Sequence, residues 1–277
     1  MRKIELLFLV AGIAMYLLGT LASASAARSG NRRRLAQARL CGLLGAVYHL
    51  VVLAMLGIRT PHFPVTSAFE AFVSLSAITT LAALAIDVWK RFPVLLVGVL
   101  PLALTTSTLA AALEAIPSPE SAPTPGISSA WMALHIGTSL GSYCAFAVAF
   151  VCGILYVVAQ RGLKEHHLPA LFGMMPSLET VGRINLRSMA LGAVLLAGGI
   201  LVGYAQARSV YNRQFDRLDP KIILSTLIFA AYVTVLALNR HPGFRGRRTA
   251  LASIAGFLLV MVNFWASLFW SDFHRFR

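Results

Sequence analysis

Residues 130–159 read AWMALHIGTSLGSYCAFAVAFVCGILYVVA, thirty positions without an aspartate, glutamate, lysine or arginine. About 20 apolar residues in helical form cross a bilayer core, so a run this long and uncharged reads as a membrane span. Working outward, seven more stretches share its character: Ile4–Ala26, Leu40–Gly57, Ala68–Val88, Val94–Leu113, Ser188–Ala207, Ile222–Leu238 and Ala250–Trp270. Only loops lie between them. Of the 277 residues, 58% are hydrophobic and 12% charged, about half the charge of a soluble domain. The expected fold is all-α, a polytopic membrane bundle of about eight transmembrane helices. Residues 1–277 read as a single integral membrane domain, divided into a first span with its basic loop (1–39) and a core (40–277).

The first span carries Arg2 and Lys3 before its apolar run and small residues at 22–26, which also describes a secretory signal peptide. The following Arg28-Ser-Gly-Asn-Arg32-Arg33-Arg34 would then have to cross the membrane, so a retained span is expected. With the N-terminus outside, 15 of the 24 basic residues fall in inside loops, and the positive-inside rule places both termini outside. The segments Ile58–Ser67, Glu114–Ser129, Arg208–Lys221 and Ser271–Arg277 are then external. Gln160–Arg187 is the longest internal loop. The net charge of +14 is spread over these short clusters, which leaves no basic surface for nucleic acid. Cys41, Cys144 and Cys152 sit in apolar runs without a CxxC pair and read as packing residues.

Polar groups retained inside a membrane are functional suspects. His135 begins the fifth span, and His135, Ser139 and Tyr143 recur at i, i+4 and i+8, which places them on one helical face. Such a stripe suits either an axial ligand to a metalloporphyrin or an interhelical hydrogen-bond seam. His274 follows Trp270 at the same membrane face, and aromatic residues nearby suit a flat ligand or an interfacial belt. His49, midway along the second span, is either a second-site ligand within the membrane or a helix-packing group. His62 lies on the outer side. Glu70 opens the third span and requires a cation or hydrogen bonds, whereas Asp87 beside Trp89-Lys90-Arg91 is expected to pair with its basic neighbours. No hydrolase, nucleotide-loop or structural-zinc spacing is present, so no conventional enzyme chemistry is expected.

Several segments, in order, resemble the cytochrome c assembly family of haem-handling membrane proteins, the CcsA/ResC and CcmC type with its HemX-like branch. They are Pro61-His62-Phe63-Pro64 with Phe69-Glu70, the His135–Tyr143 stripe, Pro176-Ser-Leu-Glu179-x-x-x-Arg183-x-Asn185, Asp219-Pro220-Lys221, Gly243-Phe-Arg245-Gly-Arg247-Arg248 and His274. The resemblance implies that His135 and His274 flank an external loop and hold haem for transfer to apocytochrome c. It also implies a bacterial cytoplasmic membrane location, and other assembly proteins or haem-biosynthesis enzymes as partners besides lipid. The family's loop is tryptophan-rich, whereas this chain reads Tyr211-Asn-Arg213-Gln-Phe215-Asp-Arg217-Leu218-Asp219-Pro220-Lys221-Ile222. Tryptophan offers a flat apolar platform; Arg213 and Arg217 instead offer charge to propionates. The loop is similar to that of the HemX-like branch, which is associated with haem biosynthesis and its regulation.

Overall fold

Charged and small residues at the ends of the apolar runs decide where each helix starts and stops. The computed structural model describes residues 3–59, 67–114, 129–165, 170–211 and 220–269. They form α1 (Lys3–Ser29), α2 (Arg32–Arg59), α3 (Ala68–Lys90), α4 (Leu95–Glu114), α5 (Ser129–Lys164), α6 (Leu178–Tyr211), α7 (Pro220–Leu238) and α8 (Arg247–Phe269). Short 3-10 turns occur at Ala170–Met174 and Pro242–Phe244. Seven of the helices are long and apolar enough to cross a membrane, and the apolar stretch Ile222–Leu238 of α7 is shorter.

Between α1 and α2 the chain reverses at Gly30, whose φ of 69° suits a residue without Cβ. Asn31 then caps α2 by accepting the Arg33 N–H at 2.9 Å. Ser67 and Glu70 form a capping box on α3, each side chain accepting from the other's backbone N–H, at 3.2 and 3.0 Å. The carboxylate of Glu70 thereby accepts a backbone hydrogen bond through Oε2. Pro220 opens α7, where its missing N–H costs nothing.

Three helices outrun the apolar stretches that announce them. α2 begins at Arg32, α5 continues to Lys164 and α6 begins at Leu178. Hydropathy marks only the part in hydrocarbon, and helix continues through polar flanks wherever side chains cap it. Much of the loop expected over Gln160–Arg187 is therefore helix. At about 1.5 Å per residue, α5 is about 54 Å long, well beyond a core of about 30 Å.

Successive helices pack as hairpins, and two four-helix groups result. In the first, α2 packs on α3 and α1 on α4; in the second, α5 packs on α8 and α6 on α7. α5 joins the groups by also touching α3 and α4. Tyr16, Phe92, Leu96, Leu100 and Val151 fill the core on one side of this junction. On the other, Phe72 meets Phe264 at 4.4 Å and Phe146 stacks on Tyr232 at 3.9 Å. Leu7, Leu21, Val194, Leu201 and Leu227 remain exposed on the outside, as lipid-facing residues of a bundle should.

Among the described residues, two buried carboxylates of the first group, Asp87 and Glu5, have ion-pair partners. Arg39 of α2 donates to Asp87 of α3 through Nε and Nη2, at 2.6 and 3.0 Å. Asp87 therefore takes its partner from another helix, not from Lys90 or Arg91 as its sequence neighbours suggest. The other pair joins Arg59 at the end of α2 to the fully buried Glu5 at the start of α1. α1 is tied to the bundle by this pair and by close packing of Gly12 on His49 and of Tyr16 on Gly45.

Candidate functional site

The hairpin of α5 and α6 is built on a mirrored register. His135, Ser139 and Phe146 of α5 lie against Gly203, Gly199 and Gly192 of α6. A Cβ on Gly203 would stand 2.7 Å from the His135 ring, one on Gly199 2.8 Å from Ser139 Oγ, and one on Gly192 2.4 Å from the Phe146 ring. Absence of side chains at these positions lets the helices approach closely enough for an imidazole to reach backbone.

His135 uses that approach. Its Nδ1 lies 2.8 Å from the Gly199 carbonyl oxygen. A carbonyl only accepts, so Nδ1 carries a proton, and in the neutral ring the lone pair is then on Nε2. This is the tautomer in which Nε2 binds a metal, and an Nδ1–H to carbonyl bond is the usual orienting partner of a ligating histidine. The ring is half-buried, in the second turn of α5, with Trp131 one turn earlier and exposed.

The stripe on α5 divides between two helices. Whereas His135 and Ser139 face α6, Tyr143 turns to α8: its hydroxyl accepts from Asn263 Nδ2 at 3.3 Å and its ring lies 6.4 Å from Phe264. At 3.6 residues per turn, eight residues leave a rotation of about 80°, enough to change neighbours. Further along, Asn185 donates to the Ala149 carbonyl and to Ser253 Oγ, both at 2.8 Å. Phe150 and Phe257 meet at 4.7 Å, so α8 runs antiparallel to α5 and ends on the side where His135 lies.

His49 belongs to the other four-helix group. Its ring is fully buried between α1, α2 and α3, with Nδ1 2.8 Å from Ser76 Oγ. Tyr16 meets it edge-on at 5.1 Å, and a Cβ on Gly12 would stand 2.4 Å from it. The structure thus packs His49 among α1, α2 and α3 and does not bring it to His135. His62, His274, Arg213, Arg217 and Asp219 lie outside the described residues. Among the described residues, no three His, Cys, Asp or Glu side chains gather to hold a metal ion.

Sequence reasoning picked out His135 but missed the residues that orient it. The signal was present in α6, where Gly192, Gly199 and Gly203 repeat at the spacing of one helical face.

These features define a multi-pass helical membrane protein that presents an oriented imidazole near one end of its bundle. Residues 38–274 match the family described as cytochrome C assembly protein, and the chain belongs to that family. A cytochrome c biogenesis protein CcsA from Synechococcus sp. (strain CC9902) is 24% identical over 247 residues, 79% of this chain and 80% of its own length. Another CcsA, from Prochlorococcus marinus (strain MIT 9313), is 24% identical over 250 residues, with 79% and 78% covered. Protein HemX from Brevibacillus brevis is 25% identical over 208 residues, with 73% and 74% covered. No solved structure matches the chain.

Proposed function

We propose that this chain takes haem as cargo at the outer face of a bacterial cytoplasmic membrane and delivers it during cytochrome c assembly. His135 and His274 would hold the haem iron, each imidazole giving a ring-nitrogen lone pair to it. The observation that carries this reading is the Nδ1 bond of His135 to the Gly199 carbonyl, which fixes the orientation of the ring. Gly203 keeps the ring's flank clear. Arg213 and Arg217 pair with the propionates, and Asp219 and His62 border the same outer-face site. Apocytochrome c and other assembly proteins are the partners. Buried under α1, His49 is given no part in this site.

A second reading has its own observation. Residues 211–222 contain no tryptophan, and a HemX protein is among the relatives. On that reading the chain is a membrane scaffold or regulator of haem-biosynthesis enzymes, without haem transfer of its own.

Absorption spectra of the detergent-purified protein separate the two. The first predicts a Soret band in the wild type that is lost in His135→Ala and in His274→Ala and returns with added imidazole. A wild type that is colourless and takes up no added haemin overturns it and leaves the scaffold.

A further inference from the structure

At the opposite end of the bundle, the C-terminus of α3 and the first turns of α6 border a half-open cavity of about 450 Å³. Its lining includes Trp89, Lys90, Arg91, Thr180, Arg183 and Arg187. Four cations face one small volume, and the acids around them do not cancel the charge. Asp87 is already held by Arg39. Glu179 lies 3.8 Å from Arg183 with both side chains largely exposed, an arrangement worth little in water. Thr180, Arg183 and Arg187 line the cavity from one lateral face of α6, whose first turn is capped by Ser177 Oγ accepting the Thr180 N–H.

The surroundings point to the source of the anion. Trp89 is 73% exposed and Val88 80% exposed, directly beside the cations. An exposed tryptophan at a helix end marks the level of lipid headgroups, and Lys90 Nζ lies 3.6 Å from its ring centroid. This is the face that the charge bias assigns to the cytoplasm, where anionic lipids and basic pockets between helices meet.

We propose that this cavity binds a phosphate-bearing anion, and that its occupant is the headgroup of an anionic phospholipid of the inner leaflet. Arg183 and Arg187 grip the phosphate, Thr180 donates its hydroxyl, and the acyl chains leave past Val88 and Trp89.

The test uses the full chain, delipidated in uncharged detergent and titrated separately with phosphatidylglycerol, phosphatidylcholine and inorganic phosphate. Thermal unfolding and native mass spectrometry are the readouts. Phosphatidylglycerol should raise the unfolding midpoint and persist as a single adduct, while phosphatidylcholine should do neither. In the Arg183→Gln/Arg187→Gln double variant, the same shift should need about tenfold more lipid. Arg33→Gln, an exposed basic residue elsewhere on that face, should match the wild type. Should the double variant prove unstable, Lys90→Gln is read by adduct count alone, and loss of the adduct is the expected result. Equal adducts in wild type and cavity variants overturn the site. Equal stabilisation by inorganic phosphate, with nothing added by the lipid, overturns the lipid as its source.

Discussion

In the helix pair α1/α2, the His49 imidazole lies over Gly12; in α5/α6, the His135 imidazole lies over Gly203. In each case Nδ1 has a partner at 2.8 Å. The partners differ in kind. Ser76 Oγ donates its one proton to the Val73 carbonyl at 2.8 Å and so accepts from His49 Nδ1, but a hydroxyl rotates and can reverse that bond. The Gly199 carbonyl can only accept, so it decides the tautomer of His135. Burial differs too, since His49 is sealed by α1 while His135 sits half-buried near the end of a helix that outruns the bilayer. The same residue type over the same small neighbour thus makes a packing element in one half and an oriented donor in the other. The two halves also hold polar groups differently, with long-range ion pairs in α1–α4 and neutral amides and hydroxyls between α5, α6, α7 and α8.

The largest stability effect should therefore come from the first half. Arg39→Ala strands Asp87, whose side chain has no exposure, while Arg39 itself is 44% exposed. Breaking a buried pair costs about 3–5 kcal/mol, and the low end applies here because solvent reaches the arginine. A loss of about 3 kcal/mol in unfolding experiments in detergent is expected, with most of it recovered by adding Asp87→Asn. In the second half, Asn185→Ala removes a neutral amide and should cost about 1 kcal/mol. Equal losses at the two sites would erase the distinction between the halves.

A methyl group on either glycine probes the histidines directly. Gly12→Ala places Cβ 2.4 Å from the His49 ring and Gly203→Ala places one 2.7 Å from the His135 ring. Each should destabilise by about 2 kcal/mol as the imidazole is forced aside. Only Gly203→Ala should also lower the haem-to-protein ratio of the purified protein, several-fold, because only there is the displaced ring a proposed ligand. Loss of haem in Gly12→Ala with none in Gly203→Ala would move the site to His49.

The bundle was legible because a bilayer demands long apolar runs, and eight of them are visible along the sequence. His135 was legible because a histidine inside such a run is costly to keep. Its orientation was not, because Gly199 and Gly203 lie more than sixty positions away, and a glycine face on α6 does not say which side chain of another helix packs on it. Asp87 shows the same limit, its neighbours in sequence being Lys90 and Arg91 and its partner in space Arg39. The i, i+4, i+8 stripe failed at its third member because helical drift outweighs a shared label once three helices compete for one face.

The smallest effect separates hydroxyls that look alike in sequence. Ser76 and Ser139 each pack beside a membrane histidine system, and each can lose its oxygen by substitution to alanine with almost no change in volume. Ser76→Ala takes away the Nδ1 partner of a ring with no access to water, so the cost should be about 1 kcal/mol. Ser139 lies against Gly199, whose carbonyl is already engaged by His135. Its alanine variant leaves that bond intact and should change stability by less than about 0.5 kcal/mol, with unchanged haem content. Ser76→Ala should leave haem content unchanged as well. A serine substitution next to His49 that drained haem, measured as the Soret-to-protein absorbance ratio, would mean that the sealed imidazole opens to a ligand after all. The division between packing and presenting would then be a matter of conformation and not of place.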